Sequence, residues 1–250
     1  GKLPDVLCVL QVAFEGRLSR RSVQSEMSRG NKVSGDMIPW SISQQFNDSE
    51  FAGLSGARVV RLATHPDLQG MGYGSQAIAL LAKYFEGALC EGPGPPVGVF
   101  GREGVDDCST MAEAESETRP NESHSLLSEE TVEARKELPP LLCPLKERPA
   151  ERLHWLGVAF GLTPQLLNFW SRKGFRTVYV RQTANDTTGE HSAILIRECD
   201  TRRTMGAAAG VGAYRSAVDS GWLQGFTADF QCRIVSLLGS AFRSFSPVLA

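Results

Sequence analysis

The sequence predicts an α/β protein, a mixed β-sheet flanked by helices, and three observations carry that prediction. Apolar runs of strand length, residues 6–14 and 153–160, alternate with segments whose apolar residues recur at helical spacing. One strand, residues 58–63, passes through a glycine-rich turn directly into a helix. Two β-rich runs, residues 177–182 and 192–199, flank a polar turn and pair as antiparallel strands.

In chain order, residues 6–14 are an almost unbroken apolar run ending at Glu15-Gly16, the pattern of a central strand buried on both faces. Ser19 caps a helix running to about Ser28. Arg17, Arg20, Arg21 and Arg29 give that region a basic flank, which suits either a solvated face or phosphate contact. Residues 37–46 form a short helix entered through Pro39 and ended by Asn47-Asp48, with Trp40 in the core. Val59, Val60 and Leu62 then mark a buried strand end. Pro66 removes a ladder donor and pushes His65 towards an extended conformation, so the chain leaves the sheet there. From Ser75 the period changes: Ala77, Ile78, Leu80, Leu81, Tyr84 and Phe85 share one side of a helix that Gly87 ends.

Composition shifts abruptly at residue 88. Residues 88–137 hold twelve acidic and four basic side chains with few large apolar ones, a disordered acidic insertion that contains His124. Since the whole chain carries only −2, the remainder is mildly basic, which permits a nucleic-acid partner without requiring one. Order resumes at Leu138. Leu153 to Phe160 is a strand, Thr163-Pro164 opens a helix with Leu166, Leu167, Phe169 and Trp170 on its buried face, and Gly174 ends it. Residues 206–210 read as a flexible linker, and Trp222, Phe226, Phe230, Ile234, Leu237, Leu238 and Phe242 form a C-terminal helical tail. The domain plan is therefore 1–87 and 138–200 as two halves of one domain, 88–137 as the insertion, and 201–250 as linker and tail.

At 250 residues and 42% hydrophobic content the chain can bury one substantial core or two small ones. It has no run of eighteen apolar residues, so no membrane partner is expected. Its start has neither an initiator Met nor a signal-peptide charge pattern, and it reads as a fragment of something longer. Six scattered cysteines lack any Cys-x-x-Cys pair, which points to a reducing intracellular compartment with no metal and no disulfide framework.

The chemistry concentrates in residues 61–75. Gly70, Gly72 and Gly74 let several backbone N–H groups converge at a helix N-terminus, an anion site. A Walker loop would require Gly-Lys-Ser/Thr, whereas Gly74-Ser75-Gln76 has no lysine. A dinucleotide fingerprint would require Gly-x-Gly-x-x-Gly, and the spacing is Gly-x-Gly-x-Gly. What the stretch resembles is the acetyl-CoA signature of GNAT acetyltransferases, Gln/Arg-x-x-Gly-x-Gly/Ala, filled by Gln69, Gly72 and Gly74. Phe169 to Phe175 similarly resembles the aromatic-rich helix end of that superfamily.

Longer motifs narrow the likeness. Gly56 to Arg61, His65-Pro66, Gln69 to Ser75, Arg148 to Arg152, Arg181-Gln182-Thr183 with Asn185-Asp186, and Thr188-Gly189-Glu190-His191 together resemble the RNA cytidine acetyltransferase family, with a return in the tail at Phe245-Ser246-Pro247. The resemblance implies a GNAT-like mixed sheet and acetyl transfer from acetyl-CoA to the N4 amine of cytidine in small-subunit rRNA and tRNA. It implies nuclear and nucleolar localisation, RNA as partner, an adaptor protein for tRNA, and oligomerisation as an option. It also implies ATP use by a module absent from this chain, which has no Walker sequence. Carried over by position, Leu62, Ala63 and Thr64 would bond the pantetheine, Gln69, Gly70, Met71, Gly72, Tyr73, Gly74 and Ser75 would take the pyrophosphate, and Arg172 would add a cationic contact.

An aromatic amine is a weak nucleophile, so the reaction needs positioning, carbonyl polarisation and a proton acceptor. His65, leaving the strand beside the expected thioester, is the first catalytic candidate; a His before Pro also caps turns, and both roles stand. His191 is the second, with orientation of RNA or of its loop as the other role. His154, beside Trp155, reads as structural. Tyr73 suits a leaving-group acid or packing on the cofactor, and Arg172 suits a phosphate contact or a solvated helix-end cation. A protein or small-amine acetyltransferase, or a non-catalytic acyl-CoA-binding module, would use the same cofactor site; acetyl-transfer assays with RNA against peptide separate these.

Overall fold

The computed structural model describes residues 5–30, 35–89, 142, 144–145, 148–199, 221–243 and 245. The acidic insertion from residue 90, the linker at 206–210, and Ser246-Pro247 lie outside the described residues. Among the described residues are five strands, β1 (Cys8–Gly16), β2 (Ser55–Thr64), β3 (Trp155–Gly161), β4 (Arg176–Val180) and β5 (Ser192–Glu198), and five α-helices, α1 (Arg20–Arg29), α2 (Met37–Phe46), α3 (Tyr73–Phe85), α4 (Pro164–Ser171) and α5 (Trp222–Leu238).

The strands form one mixed sheet in the order β1-β2-β3-β5-β4. β1 runs antiparallel to β2, β2 parallel to β3, and β5 antiparallel to both β3 and β4. β1 is thus an edge strand, not the central one that its apolar run suggested, and Val9 and Phe14 are exposed. Leu10 and Val12 pack on the core from one face, while Val9 and Gln11 on the other stay exposed. An apolar run reports what a strand could bury, whereas its place in the sheet depends on long-range pairing.

Period-two alternation sorts the sheet into two faces. Leu156, Val158, Ala193 and Leu195 share a cluster with Ile78, Ala82 and Phe85 of α3 and Trp170 of α4. Trp155, Ile194 and Ile196 face the opposite cluster with Ile38 and Ile42 of α2 and Phe51. α5 packs mainly along edge strand β4 and reaches both clusters, through Leu223 at its start and Phe230 and Ile234 further on. The Arg233 guanidinium donates to the Gln45 carbonyl and lies over the Phe46 ring, so the tail helix docks on the domain itself.

Local signals placed the helix ends. Ser19 Oγ accepts from the Ser22 N–H at the start of α1, and Thr163 Oγ1 from the Leu166 N–H at the start of α4, which has Pro164 at its first position. In α1, Arg20 pairs with Glu50 and Arg29 with Glu26, so half of the basic flank is engaged in surface ion pairs. Leu166 is exposed rather than buried, and Trp170 is the fully covered residue of α4. No helix among the described residues is long and apolar enough to cross a membrane.

A buried polar cluster fixes α2 to the sheet. Glu15, at the end of β1, accepts from Arg58 Nε on β2 at 2.5 Å and from the Ile38 N–H at 2.9 Å, while Asp36 Oδ1 accepts from the Gly16 N–H. His154 is structural, as its sequence context suggested: Nδ1 accepts from the Ser55 N–H and lies 2.8 Å from Ser55 Oγ, between the starts of β2 and β3. Burial lowers its pKa below the ordinary histidine value. The unfolded chain therefore binds this proton more readily, and the stability His154 contributes is present above the ordinary histidine pKa and lost as pH falls below it. Melting temperature should drop between about pH 7 and about pH 5 more steeply in the wild type than in His154→Gln; equal slopes would contradict this.

Candidate active site

The site begins where the parallel pair separates. β2 and β3 pair only from Gly56 to Val59 and from Trp155 to Val158. Beyond that point β2 continues to Thr64 and β3 to Gly161 with no register between them. A β-bulge accompanies the split: Gln11 pairs with Arg61 and Val12 with Val59, which leaves Val60 as the extra residue. The bulge reverses the alternation, so Leu62 and Thr64, like Ala57 and Val59 before them, face α3. The strand end expected to be buried is instead largely exposed, with Val60, Arg61 and Ala63 open. Among the described residues, no strand pairs with its backbone edge towards β3 along Leu62, Ala63 and Thr64.

The turn after β2 is shaped by its own residues. The His65 backbone N–H donates to the Leu7 carbonyl, and its imidazole Nδ1 accepts from the Asp67 N–H at 3.4 Å, capping the short 3-10 turn Pro66–Leu68. The turn-capping role open to His65 is therefore present. An imidazole that accepts at Nδ1 carries its proton at Nε2 when neutral. Gly70 and Gly72 both take positive φ, +80° and +92°, which bends the chain from Gln69 and Met71 into α3.

Gly72 is the N-cap of α3 and offers no side chain, and the first helical bond runs from the Gln76 N–H to the Gly72 carbonyl. The N–H groups of Tyr73, Gly74 and Ser75 thus point out of the helix start as uncapped donors. Gly74 differs from the other two glycines: its φ is unexceptional, and a Cβ there would stand 3.4 Å from Leu62 and 3.5 Å from Thr64, ordinary contact. The fold does not demand a glycine at 74.

On the opposite side of the split, β3 ends at Gly161, which pairs with Ser192 at the start of β5. The loop before β5 folds back here, with Asn185 Oδ1 accepting from the Thr187 and Thr188 N–H groups and the Asn185 N–H donating to the Glu190 carbonyl. It lays the Glu190 carboxylate against Gly161, a placement sequence reasoning missed because a charged residue after Thr188-Gly189 reads as a solvated turn. His191 comes to the same end of the sheet but one strand further from the split. Its Nδ1–H donates to the Arg181 carbonyl at 2.8 Å, and its ring meets Phe242 and Phe245 edge-on.

Arg172 is set apart. It caps the C-terminal end of α4, next to Lys173, whose carbonyl accepts from Arg197 near the start of β3. The length of α4 separates it from the split, so the structure does not bring it beside the glycine turn. Tyr73 is the first residue of α3 and partly exposed. Burial pushes the Cys199 thiol up to about 12, with Glu86 adding to the effect, so it is no nucleophile at neutral pH. A surface cleft lined by Gln24, Met27, Ser28, Asn47 and Ser49 lies away from these groups and holds no titratable side chain.

The residues present fit a coenzyme A thioester: uncapped amides for a pyrophosphate, a glycine at 74 that leaves them unobstructed, and an unpaired strand edge for an amide-bearing pantetheine arm. A mixed sheet with a splayed parallel pair and a glycine turn entering a helix at its mouth defines an acyltransferase domain of the GNAT type. Residues 1–200 match the model of the family GNAT acetyltransferase 2, and the chain belongs to that family. Among its relatives, the RNA cytidine acetyltransferase of Achlya ambisexualis is 51% identical over 244 residues, covering 97% of this chain and 59% of that protein. The RNA cytidine acetyltransferases of Homo sapiens and Saccharomyces cerevisiae are 48% and 42% identical, covering 99% and 100% of this chain but 22% and 21% of theirs. The chain thus spans little more than half of the first relative and about a fifth of the other two.

Proposed function

We propose that this chain is the acetyl-transferring part of an RNA cytidine acetyltransferase, moving the acetyl group of acetyl-CoA to the N4 amine of cytidine. The carrying observation is that the splayed pair and its uncapped helix start occur in a chain aligned over almost its full length with relatives of that name. In this reading, the α3 amides of Tyr73, Gly74 and Ser75 hold the pyrophosphate, with Gln69, Gly70, Met71 and Gly72 shaping the turn. Leu62, Ala63 and Thr64 bond the pantetheine along the free edge of β2, and Arg172 acts only on a part of the ligand that extends along α4. Bound there, acetyl-CoA supplies an activated thioester carbonyl.

The protein then has to orient a weakly nucleophilic amine and receive its proton. His65 and His191 are the proton-handling candidates, and each is held by a bond at Nδ1. For His65 that bond shapes the cofactor turn, so we expect His65→Asn, which retains an acceptor for the Asp67 N–H, to keep most acetyl transfer while His65→Ala loses more. Equal loss in both would point to proton transfer rather than turn capping as the role of His65. His191 donates from Nδ1, which leaves Nε2 with a free lone pair.

The same reading places the ATP-using module elsewhere in a longer protein, assigns residues 88–137 to an insertion within one domain, and takes rRNA and tRNA as substrates, with an adaptor for tRNA, in the nucleolus. The test is mass spectrometry of nucleosides after incubating the full-length protein with acetyl-CoA, ATP and RNA, beside a peptide acceptor. N4-acetylcytidine is expected; acetylated peptide with unmodified RNA would overturn the reading.

A further inference from the structure

We propose that Glu190 is the residue that reads the acceptor base, its carboxylate taking a hydrogen bond from the exocyclic amine of the incoming cytosine. This rests on the function proposed above and names the acceptor half of the same site. The first support is steric. A Cβ on Gly161 would stand 2.1 Å from Glu190 Oε2 and 3.0 Å from Cδ, so the missing side chain at the end of β3 is the seat of this carboxylate. Gly161 lies where β3 has already lost its pairing with β2, at the mouth of the split.

The second support is the side of the sheet. Along β3, Leu156, Val158 and Phe160 face the cluster that contains α3 and α4, whereas Trp155 and Ala159 face the cluster of α2. Alternation gives Gly161 and the carboxylate on it to the α2 face. The uncapped amides belong to α3 on the other face, so a thioester entering there is met through the split by an acceptor arriving from the α2 side.

The carboxylate is also held in place by its loop. The loop that presents it is fixed by the Asn185 side chain, by the Gly189 N–H on the Asn185 carbonyl, and by a positive φ of +70° at Gly189. Among the described residues no cation forms an ion pair with Glu190, and the nearby Arg181 meets His191 through its backbone carbonyl. A carboxylate only accepts hydrogen bonds, and cytosine N4 offers two N–H donors. Uracil presents a carbonyl oxygen at the same position, which a carboxylate repels, so the same group rejects the base that lacks the amine.

The experiment measures N4-acetylcytidine formation and acetyl-CoA affinity of the full-length protein in wild type, Glu190→Gln, Gly161→Ala and the double variant. Glu190→Gln should lower kcat/KM for RNA by at least about tenfold, the size of one charge-assisted hydrogen bond, with acetyl-CoA Kd unchanged. Gly161→Ala should do the same with a near-wild-type Tm, because its Cβ displaces only the end of a flexible side chain, and the double variant should be no worse than either single one. Single variants that transfer at the wild-type rate, losses that multiply in the double variant, or a Glu190→Gln that no longer binds acetyl-CoA would each overturn the proposal. A wild-type protein that makes no N4-acetylcytidine overturns the proposed function, and this proposal with it.

Discussion

Gly74→Glu should bind acetyl-CoA at least about a hundredfold more weakly than the wild type while remaining folded. The first added carbon finds ordinary contacts with Leu62 and Thr64, so the β2–α3 packing tolerates it. A helical side chain leans towards the N-terminus of its helix, which sends the rest of the glutamate towards the uncapped amides of Tyr73, Gly74 and Ser75. A carboxylate there is favoured by the helix macrodipole and so does not unfold the domain, but it competes as a resident anion for the donors a pyrophosphate needs. Losing one or two charge-assisted hydrogen bonds and adding like-charge repulsion accounts for the expected weakening. Calorimetry with acetyl-CoA, together with a melting curve, checks both halves. Gly74→Ala is the control and should retain measurable binding, since the glycine is not required by backbone conformation. Unchanged affinity in Gly74→Glu would remove the turn from the site.

Glu15→Ala should destabilise the domain by about 3 kcal/mol and lower Tm by roughly 10 °C. The substitution strips Arg58 of its carboxylate and leaves the Ile38 N–H, at the start of α2, without its acceptor. Both groups are largely withdrawn from water, where an orphaned donor or charge is costly. Arg58 stands two residues before the bulge at Val60, so the pair also ties the base of the split to α2. Urea denaturation is the direct measurement. A loss under about 0.5 kcal/mol, the range of exposed surface changes, would mean that the pair is not desolvated as its burial implies.

Local chemistry was legible in the sequence and long-range placement was not. Ser19, Thr163-Pro164 and Asn47 mark helix ends because caps act within a few residues. β4 and β5 pair as their composition suggested, because one short loop joins them. The edge position of β1 was hidden, since apolarity does not encode which neighbour a strand receives. The bulge at Val60 was hidden as well, although it decides that Leu62 and Thr64 rather than Arg61 and Ala63 face α3. For the site, the glycine turn identified itself by spacing. The ring contacts of His191 with Phe242 and Phe245 join residues more than fifty positions apart. The seat of Glu190 on Gly161 needs the sheet to exist before either residue means anything.

The most direct measurement of the central claim is a structure of the chain with coenzyme A bound. Pantetheine density is expected along the free edge of β2 at Leu62 to Thr64, with the pyrophosphate on the amides of Tyr73, Gly74 and Ser75. Coenzyme A held anywhere else, or a β2–β3 split closed by protein and inaccessible to the ligand, would contradict it.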